Sequence, residues 1–337
     1  MIIKKSELSN FLDKLTGQYQ VLAPVKKGLE FYFQPIRSGV QADLSYSNSV
    51  TAPKGILFPQ SETLFNYDVQ GETADMQECL DTGKKVIFGL RPCDAKSLVL
   101  LDKVFHGEKY QDPYYLSRRA NTVLVGLGCG EPRGTCFCAS LDGGPFGTEG
   151  LDLLLVDIGD KYVVEVVSEK GASFLTGASL PLAGKDDRAA AAKAKETAFQ
   201  ACTINLEGLK EKMDVNYDDP VWGFLHEKCL GCGACTYSCP TCHCFDILDE
   251  VKDSTGCRVR NWDACMFPLF TLHGSGHNPR PTGKERFRQR FMHKFKYFVD
   301  NYGAFACVGC GRCILNCPVN IDIRQVLADI KAGGDEK

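Results

Sequence analysis

The sequence predicts an α+β protein with a mixed α/β domain first and a mostly helical, cysteine-rich domain second. Two observations support this fold class. Apolar runs at residues 85–90 and 121–127 flank a helical pattern, which is typical of a short parallel βαβ element. Beyond residue 228 the chain carries two dense cysteine runs in short, glycine-rich turns. We place the boundary near residue 214, which gives domains at 1–213 and 214–337.

The residues before the βαβ element predict a helix, a hairpin and a loop. Residues 6–15 place apolar side chains on one face of an amphipathic helix. Residues 19–36 alternate like strands on either side of Lys27 and Gly28, which predicts a hairpin. Residues 37–70 are polar and irregular, and we expect a packed loop there.

Both strands of the βαβ element end at a cysteine. Cys93 follows the first strand and Cys129 the second, so both lie at the sheet edge where open α/β sheets bind ligands. Cys136 and Cys138 follow in a loop that can fold back over this edge. We therefore predict that these four thiols hold an iron–sulfur cluster of irregular spacing, the third 4Fe–4S cluster of the chain. The alternatives are buried packing thiols and a zinc site.

A hairpin and a helical stretch complete the first domain. Residues 151–158 and 162–167 predict two strands joined by a turn at Gly159 and Asp160. Residues 185–213 are rich in Ala and Lys and predict a helical bridge into the second domain. Cys79 and Cys202 lie in helix-like surroundings, and we interpret both as packing thiols.

The second domain contains two copies of the run Cys-x-x-Cys-x-x-Cys-x-x-x-Cys-Pro, the spacing by which bacterial ferredoxins hold 4Fe–4S clusters. Glycines inside each run permit tight turns that point three thiolates at one centre. In two-cluster ferredoxins the fourth cysteine of a run ligates the other cluster. We therefore expect a ferredoxin-like domain with two clusters and crossed ligation. The first cluster is assigned Cys229, Cys232, Cys235 and Cys317, and the second Cys307, Cys310, Cys313 and Cys239.

The composition favours metal binding. Eighteen cysteines among 337 residues are too many for a reduced protein without metal. The first residues lack the apolar core of a signal peptide and no run is long enough to span a membrane, so we expect a cytoplasmic protein rather than a disulfide-bonded one. Exposed clusters would indicate an anaerobic host. Zinc is the alternative metal, and a net charge of −3 argues against nucleic-acid binding.

Several side chains near the two runs have no ligand role in this assignment. We expect Cys242 and Cys244, on either side of His243, to pack or to hydrogen-bond cluster sulfur, which tunes the potential. Cys257 and Cys265 are unassigned. A helix after residue 283 has a basic face formed by Lys284, Arg286, Arg288, Arg290, Lys294 and Lys296. This face is a solvated surface, a docking site for an acidic partner, or a means of offsetting the charge of reduced clusters. Its aromatic stripe is expected in the core and consists of Phe287, Phe291, Phe295 and Phe298.

Five segments resemble a known family. Cys-Pro-Thr-Cys-His-Cys-Phe-Asp (239–246), Trp-Asp-Ala-Cys-Met-Phe (262–267) and Gly-His-Asn-Pro-Arg-Pro (276–281) are similar to blocks in the beta subunit of cytoplasmic sulfhydrogenases and in the corresponding iron–sulfur subunit of anaerobic sulfite reductases. Arg-Pro-Cys-Asp (91–94) and Cys-Phe-Cys (136–138) are similar to the N-terminal part of those subunits. The resemblance implies a 4Fe–4S subunit of a soluble multisubunit oxidoreductase. It also implies a flavin subunit that carries FAD and uses NAD(P)H on one side, and a catalytic or heterodisulfide-reductase-like subunit on the other.

We therefore predict a chain that passes single electrons through two or three 4Fe–4S clusters and has no catalytic residues of its own. The sequence has no G-x-G-x-x-G fingerprint after a strand and no P-loop, which indicates that flavin and nucleotide bind to a partner. One alternative is a self-contained reductase with substrate chemistry at the N-terminal thiols. Another is a zinc-stabilised interaction module.

Overall fold

The computed structural model describes residues 1–178, 180–198 and 202–333. Over these ranges the strands are β1 (Ile2–Lys4), β2 (Gln20–Lys27), β3 (Glu30–Pro35), β4 (Ser61–Gln70), β5 (Thr73–Glu78), β6 (Lys85–Leu90), β7 (Thr122–Leu127), β8 (Leu153–Asp157), β9 (Lys161–Val166), β10 (Phe245–Lys252) and β11 (Thr255–Trp262). The helices are α1 (Leu8–Thr16), α2 (Pro92–Phe105), α3 (Pro113–Ala120), α4 (Glu169–Phe174), α5 (Lys185–Glu196), α6 (Leu209–Val215), α7 (Val221–Leu225), α8 (Ala234–Tyr237), α9 (Gly283–Met292), α10 (Phe298–Tyr302), α11 (Arg312–Leu315) and α12 (Ile323–Ala332).

The N-terminal part is built on a seven-stranded mixed sheet with the order β1-β9-β8-β7-β6-β2-β3. Its central strands β2, β6, β7 and β8 run parallel, and the outer pairs are antiparallel. Every residue of β6 and β7 is buried, as expected for parallel strands that are covered on both faces. Val86 packs into the core on one face and Ile87 into the core on the other. The predicted parallel βαβ element is confirmed, with α2 and α3 between β6 and β7.

Several local predictions are confirmed, and four differ from the structure. The first helix and the hairpins β2–β3 and β8–β9 lie where the patterns indicate. Residues 61–70 form strand β4 instead of a loop, and Cys79 follows strand β5 instead of lying in a helix. Cys202 is exposed and lies outside the helices, so it is not the packing thiol that the sequence predicted. The predicted helix over 185–213 divides into α5 and α6. Its residues 199–201 lie outside the described ranges.

A second, four-stranded antiparallel sheet has the order β10-β11-β4-β5. Strands β4 and β5 come from the N-terminal half, and β10 and β11 follow the first cysteine run. The prediction of a mostly helical second domain did not include the β10–β11 hairpin. This sheet combines strands from both sides of the boundary near residue 214, and that boundary stays a prediction.

The C-terminal region is a group of short helices around one long interrupted helix. Helix α9 continues through a π-helical turn at His293–Tyr297 into α10. The predicted aromatic core stripe is confirmed, since Phe287, Phe291, Phe295 and Phe298 are all buried. In the part of the chain that the structure describes, no helix is long and apolar enough to cross a membrane.

Candidate metal centres

The first candidate centre is a cavity between the two cysteine runs. All four thiols assigned to the first cluster line it: Cys229, Cys232, Cys235 and Cys317. Its walls are largely apolar and include Phe287 and Phe291 from α9. The backbone takes positive φ at Gly231 (65°) and Gly233 (75°), so the chain turns tightly enough to bring the first run around the cavity. The space between atoms at this site, open solvent included, is about 530 Å³. Cys232 is the exposed thiol of the four.

The second candidate centre is buried more deeply. Cys239 and Cys310 are buried, and Cys307 and Cys313 are half-buried. Burial raises the pKa of Cys307, Cys310 and Cys313, the last to about 12, and the negative charge of Cys239 raises each of them further. The thiol from the first run therefore lies within electrostatic reach of the three from the second run. Cys313 also lines the first cavity, so the two centres are neighbours.

The third candidate centre lies at the carboxyl edge of β6 and β7. Cys93 is in the first turn of α2 and Cys129 lies just beyond β7. The loop with Cys136 and Cys138 folds back over this edge, and all four thiols line one cavity. Burial raises the pKa of each thiol, that of Cys138 to about 11. Such thiols give up their protons when a metal binds them, because metal charge stabilises the thiolate.

The third cavity also fits an anionic group. Arg91 is buried, lines the cavity, and stacks 4.3 Å from the centroid of the Tyr46 ring. Its Nη1 donates to the Gly128 carbonyl at 2.6 Å, but its Nε has no hydrogen-bond partner among the described residues. The hydroxyl of Thr135, next to Cys136, is also buried without one. A buried charge and orphaned donors are costly unless a group absent from the protein chain satisfies them.

The third centre is packed directly against the second. The amide of Phe137 donates to the Gly309 carbonyl at 2.8 Å, and Cys310 lines the third cavity. Gly309 has a φ of +62°, and a Cβ there would lie 2.5 Å from the Cys138 nitrogen. The two cysteine loops therefore meet as closely as backbones can. Thiols of the second centre border both other cavities, Cys313 the first and Cys310 the third. The second centre is therefore adjacent to both others, and we call it the middle centre.

A buried ion pair fixes this contact. Arg312, directly after the Cys310 loop, donates through two nitrogens to Asp94 at 2.5 and 2.8 Å. It also donates to the backbone and side chain of Ser49 at 2.9 Å each. Asn48 donates to the Cys310 carbonyl at 3.2 Å. Since Asp94 follows Cys93, the pair connects the third centre to the second.

Three buried basic side chains surround the second centre. Lys294 donates to Cys239 Sγ at 3.3 Å and to the Thr241 hydroxyl at 3.0 Å. Arg290 points at Cys242 Sγ at 3.8 Å, and Lys54 donates to the Cys242 carbonyl. Burial acts to lower the pKa of Lys294 and Arg290, but the nearby thiolates outweigh it and hold both pKa values above the ordinary range. Burial lowers the pKa of Lys54.

One of the extra thiols contacts an assigned cluster ligand, and two others pair with each other. Cys242 hydrogen-bonds to Cys239, which lowers the pKa of Cys239 and raises that of Cys242. Cys244 and Cys265 form a similar pair, in which the pKa of Cys244 is lowered and that of Cys265 raised. Cys242 therefore contacts a ligand thiol, while its predicted hydrogen bond to cluster sulfide stays a prediction.

Sequence reasoning treated the basic residues of the long helix as one face, but they divide. Arg290 and Lys294 turn inwards to the cysteines, whereas Lys296 pairs with Asp214 and Asp300 near the surface. Their inward orientation could have been predicted, because Arg290 and Lys294 are four residues apart and lie beside the aromatic stripe. Lys54 lies far in sequence from Cys242, whose carbonyl it contacts, and no pattern marked it. Arg91 and Arg312 lie beside Cys93 and Cys313 in the sequence, but their buried contacts were not predicted. In the described ranges no three Cys, His, Asp or Glu side chains are grouped to hold one metal ion.

The fold and the thiol arrangement define an iron–sulfur protein with a dicluster region, and comparison with known proteins agrees. Residues 228–321 match the family of 4Fe–4S dicluster domains. The chain is 34% identical over 328 residues to the beta subunit of sulfhydrogenase 2 from Pyrococcus furiosus, which covers 96% of each chain. The chain therefore belongs to the sulfhydrogenase beta subunit family. No solved structure matches it.

Proposed function

We propose that the chain is the electron-transfer subunit of a multisubunit oxidoreductase of the hydrogenase type. It connects a subunit carrying FAD and using NAD(P)H with a catalytic or heterodisulfide-reductase-like subunit. The observation that supports the proposal is the adjacency of the three thiol groups: in the middle group, Cys310 borders the third cavity and Cys313 borders the first. This adjacency offers electrons a path between the first and third groups through the middle one.

The residues divide into ligands and their supports. A 4Fe–4S cluster, when bound, supplies a one-electron carrier whose potential depends on burial, charge and hydrogen bonds to sulfur. Three sets of four thiols would hold three clusters: Cys229, Cys232, Cys235 and Cys317; Cys307, Cys310, Cys313 and Cys239; Cys93, Cys129, Cys136 and Cys138. Apolar side chains such as Phe287 line the first cavity. Arg290 and Lys294 offset negative charge at the middle site.

Iron and acid-labile sulfide per chain, with zinc measured in the same anaerobic sample, test this proposal. We expect about twelve irons, four for each cluster, and substoichiometric zinc. Cys129→Ala should remove about four irons and leave the dicluster signal in electron paramagnetic resonance. Cys202→Ala, an exposed thiol outside the three sets, is the matched control and should remove none.

Three other results would overturn parts of the proposal. About eight irons, unchanged by Cys129→Ala, would reduce the N-terminal thiols to packing residues. One zinc per thiol set with little iron would remove the electron-transfer function altogether. Turnover of a physiological substrate by the isolated chain, abolished by Cys129→Ala, would instead favour a self-contained reductase.

A further inference from the structure

The outer half of the second sheet is exposed although it has the regular pairing of a folded sheet. We call residues 65–78 and 245–258 the acidic arm. All residues of β5 and β10, its two edge strands, are exposed. Edge strands with free backbone groups and no cover are sites where another chain can pair. Both edge strands of the arm are thus exposed along their whole length.

Strand register separates the faces of the acidic arm. Directly paired residues share a face, and the row Val251, Gly256, Tyr67 and Met76 therefore lies on one side. Val69 lies on the same side, two residues along from Tyr67, and so does Ile247, four residues along from Val251. The exposed fractions of Met76, Val251, Ile247 and Val69 are 67%, 64%, 46% and 42%. These exposed apolar side chains share the face with the ion pair of Asp249 and Arg258, which lies between Val251 and Ile247. Exposed apolar groups clustered in this way mark interaction sites.

The opposite face and the tip of the arm are acidic. The arm contains the carboxylates Asp68, Glu72, Asp75, Glu78, Asp246, Asp249, Glu250 and Asp253. Its only basic residues are Lys252 and Arg258, and Arg258 is bound to Asp249 through two hydrogen bonds of 2.8 Å. Eight acidic and two basic residues give the arm a net charge of −6, while the whole chain has −3. The rest of the chain is therefore net positive.

We infer that the acidic arm is the docking element for a partner protein whose surface combines an apolar strip with Lys and Arg side chains. The apolar face would pack on the strip, and the acidic face and tip would meet the basic groups. The negative charge of the arm favours such a partner over a second copy of the chain, an anionic lipid surface or a nucleic acid. Two arms of net charge −6 repel each other, which disfavours pairing between copies, and anionic lipid or nucleic acid is repelled as well. The inference relies on the proposed function only in that the chain works inside a complex.

The test uses the purified native complex with a tag on this chain. The double variant Met76→Lys, Val251→Lys places charges on the apolar face, and Leu29→Lys, Leu182→Lys is its control at other positions that are 95% and 83% exposed. A second variant neutralises the acidic face: Asp68→Asn, Asp75→Asn, Asp246→Asn and Glu250→Gln. Its control neutralises four exposed glutamates elsewhere: Glu108, Glu169, Glu207 and Glu211, each to Gln.

Dissociation of the identified partner subunit is measured by mass photometry between about 0.1 and 1 M salt, over which the Debye length falls from about 10 to 3 Å. We expect the apolar-face variant to weaken the complex about tenfold or more at all salt concentrations. We expect the neutralised variant to weaken it at low salt and to flatten its salt dependence. Both controls should behave as the unmodified complex.

Iron per chain is measured on the same samples, which separates this inference from the proposed function. Weakened binding by chains that keep their iron supports the docking role. Unchanged binding by both arm variants overturns it, and the acids then only protect exposed edges from self-association. Loss of self-association of the isolated chain, without loss of the partner, also overturns it and identifies a second copy as the occupant. Low iron in the unmodified chain counts against the proposed function, while the dissociation measurement still decides the docking role.

Discussion

At the scale of single residues, the strongest feature is positive charge inside the protein without carboxylate partners. Lys54, Arg290 and Lys294 are buried, and none forms an ion pair with a carboxylate within residues 1–178, 180–198 and 202–333. A buried, unpaired charge costs several kcal/mol. The chain tolerates two such cations beside Cys239, which indicates that they are balanced by an anionic group bound at these thiols. A 4Fe–4S cluster with its four thiolates is such a group.

This balance predicts a redox effect of Lys294. Replacing it with Gln removes a positive charge that lies 3.3 Å from Cys239 Sγ, and the reduced, more negative state of the middle cluster loses more stabilisation than the oxidised state. We expect its midpoint potential to fall by on the order of 100 mV, since one charge at short range in protein is worth a few kcal/mol and each tenfold change equals about 59 mV for one electron. Anaerobic redox titration followed by electron paramagnetic resonance measures the shift.

The control for this variant is Lys296→Gln, because Lys296 lies two residues further along and pairs with Asp214 and Asp300 near the surface. In Lys296→Gln we expect the midpoint potential of the middle cluster to shift by only a small fraction of the shift caused by Lys294→Gln. Equal potentials in the two variants would mean that Lys294 supports packing and does not act on the middle centre.

At the scale of elements, the sequence predicted the strands and helices that have a clear local pattern of residues. The buried strands β6 and β7 are short apolar runs, and this pattern located both them and the cysteines at their ends. Strands β4 and β10 were not predicted from the sequence, for two reasons. They are largely exposed or half-buried and mix polar with apolar residues, so they lack the apolar run of a buried strand. They are also paired through β11, which joins segments almost two hundred residues apart in the chain. The spacing of the two cysteine runs predicted their grouping. It could not predict that Arg312 and Asp94 would connect the dicluster region to the N-terminal thiols.

The meeting of two cysteine loops at Gly309 gives a prediction at this scale. Gly309→Ala and Gly28→Ala change residues with nearly the same φ, +62° and +63°, so both incur about 1–2 kcal/mol of left-handed strain. Only at Gly309 would the new Cβ meet backbone, 2.5 Å from the Cys138 nitrogen. We therefore expect Gly309→Ala, but not Gly28→Ala, to separate the loops and to lower iron per chain.

The measurement is iron content together with thermal unfolding of both variants under anaerobic conditions. Equal melting temperatures and full iron in both would contradict the close approach of the loops. A lower melting temperature with full iron in Gly309→Ala would mean that the N-terminal loop can move without releasing its ligands.

At the scale of the whole molecule, the cores of the seven-stranded sheet and the core of the C-terminal region differ in their cysteine content. Among the described residues, the two apolar cores on the faces of the seven-stranded sheet contain no cysteine. The C-terminal core includes Cys265 and packs against Cys229, Cys235, Cys307 and Cys313. The sheet therefore has a conventional hydrophobic core, whereas the helical region is organised around its metal sites.

This division predicts the result of removing iron. Chelation under anaerobic conditions should leave the seven-stranded sheet folded, because its cores do not depend on the thiols, and should unfold the region around α9 and α12, where cavities and buried cations would lose the group that fills and balances them. Amide hydrogen exchange read by mass spectrometry would then retain protection in β6, β7 and β8 and lose it in the C-terminal helices. If protection disappeared together in both regions, the ion pair between Arg312 and Asp94 and the shared second sheet would be strong enough to make the chain one cooperative unit. If it persisted in both, the thiol region would have a core of its own without metal, and the buried cations would need a different counter-charge.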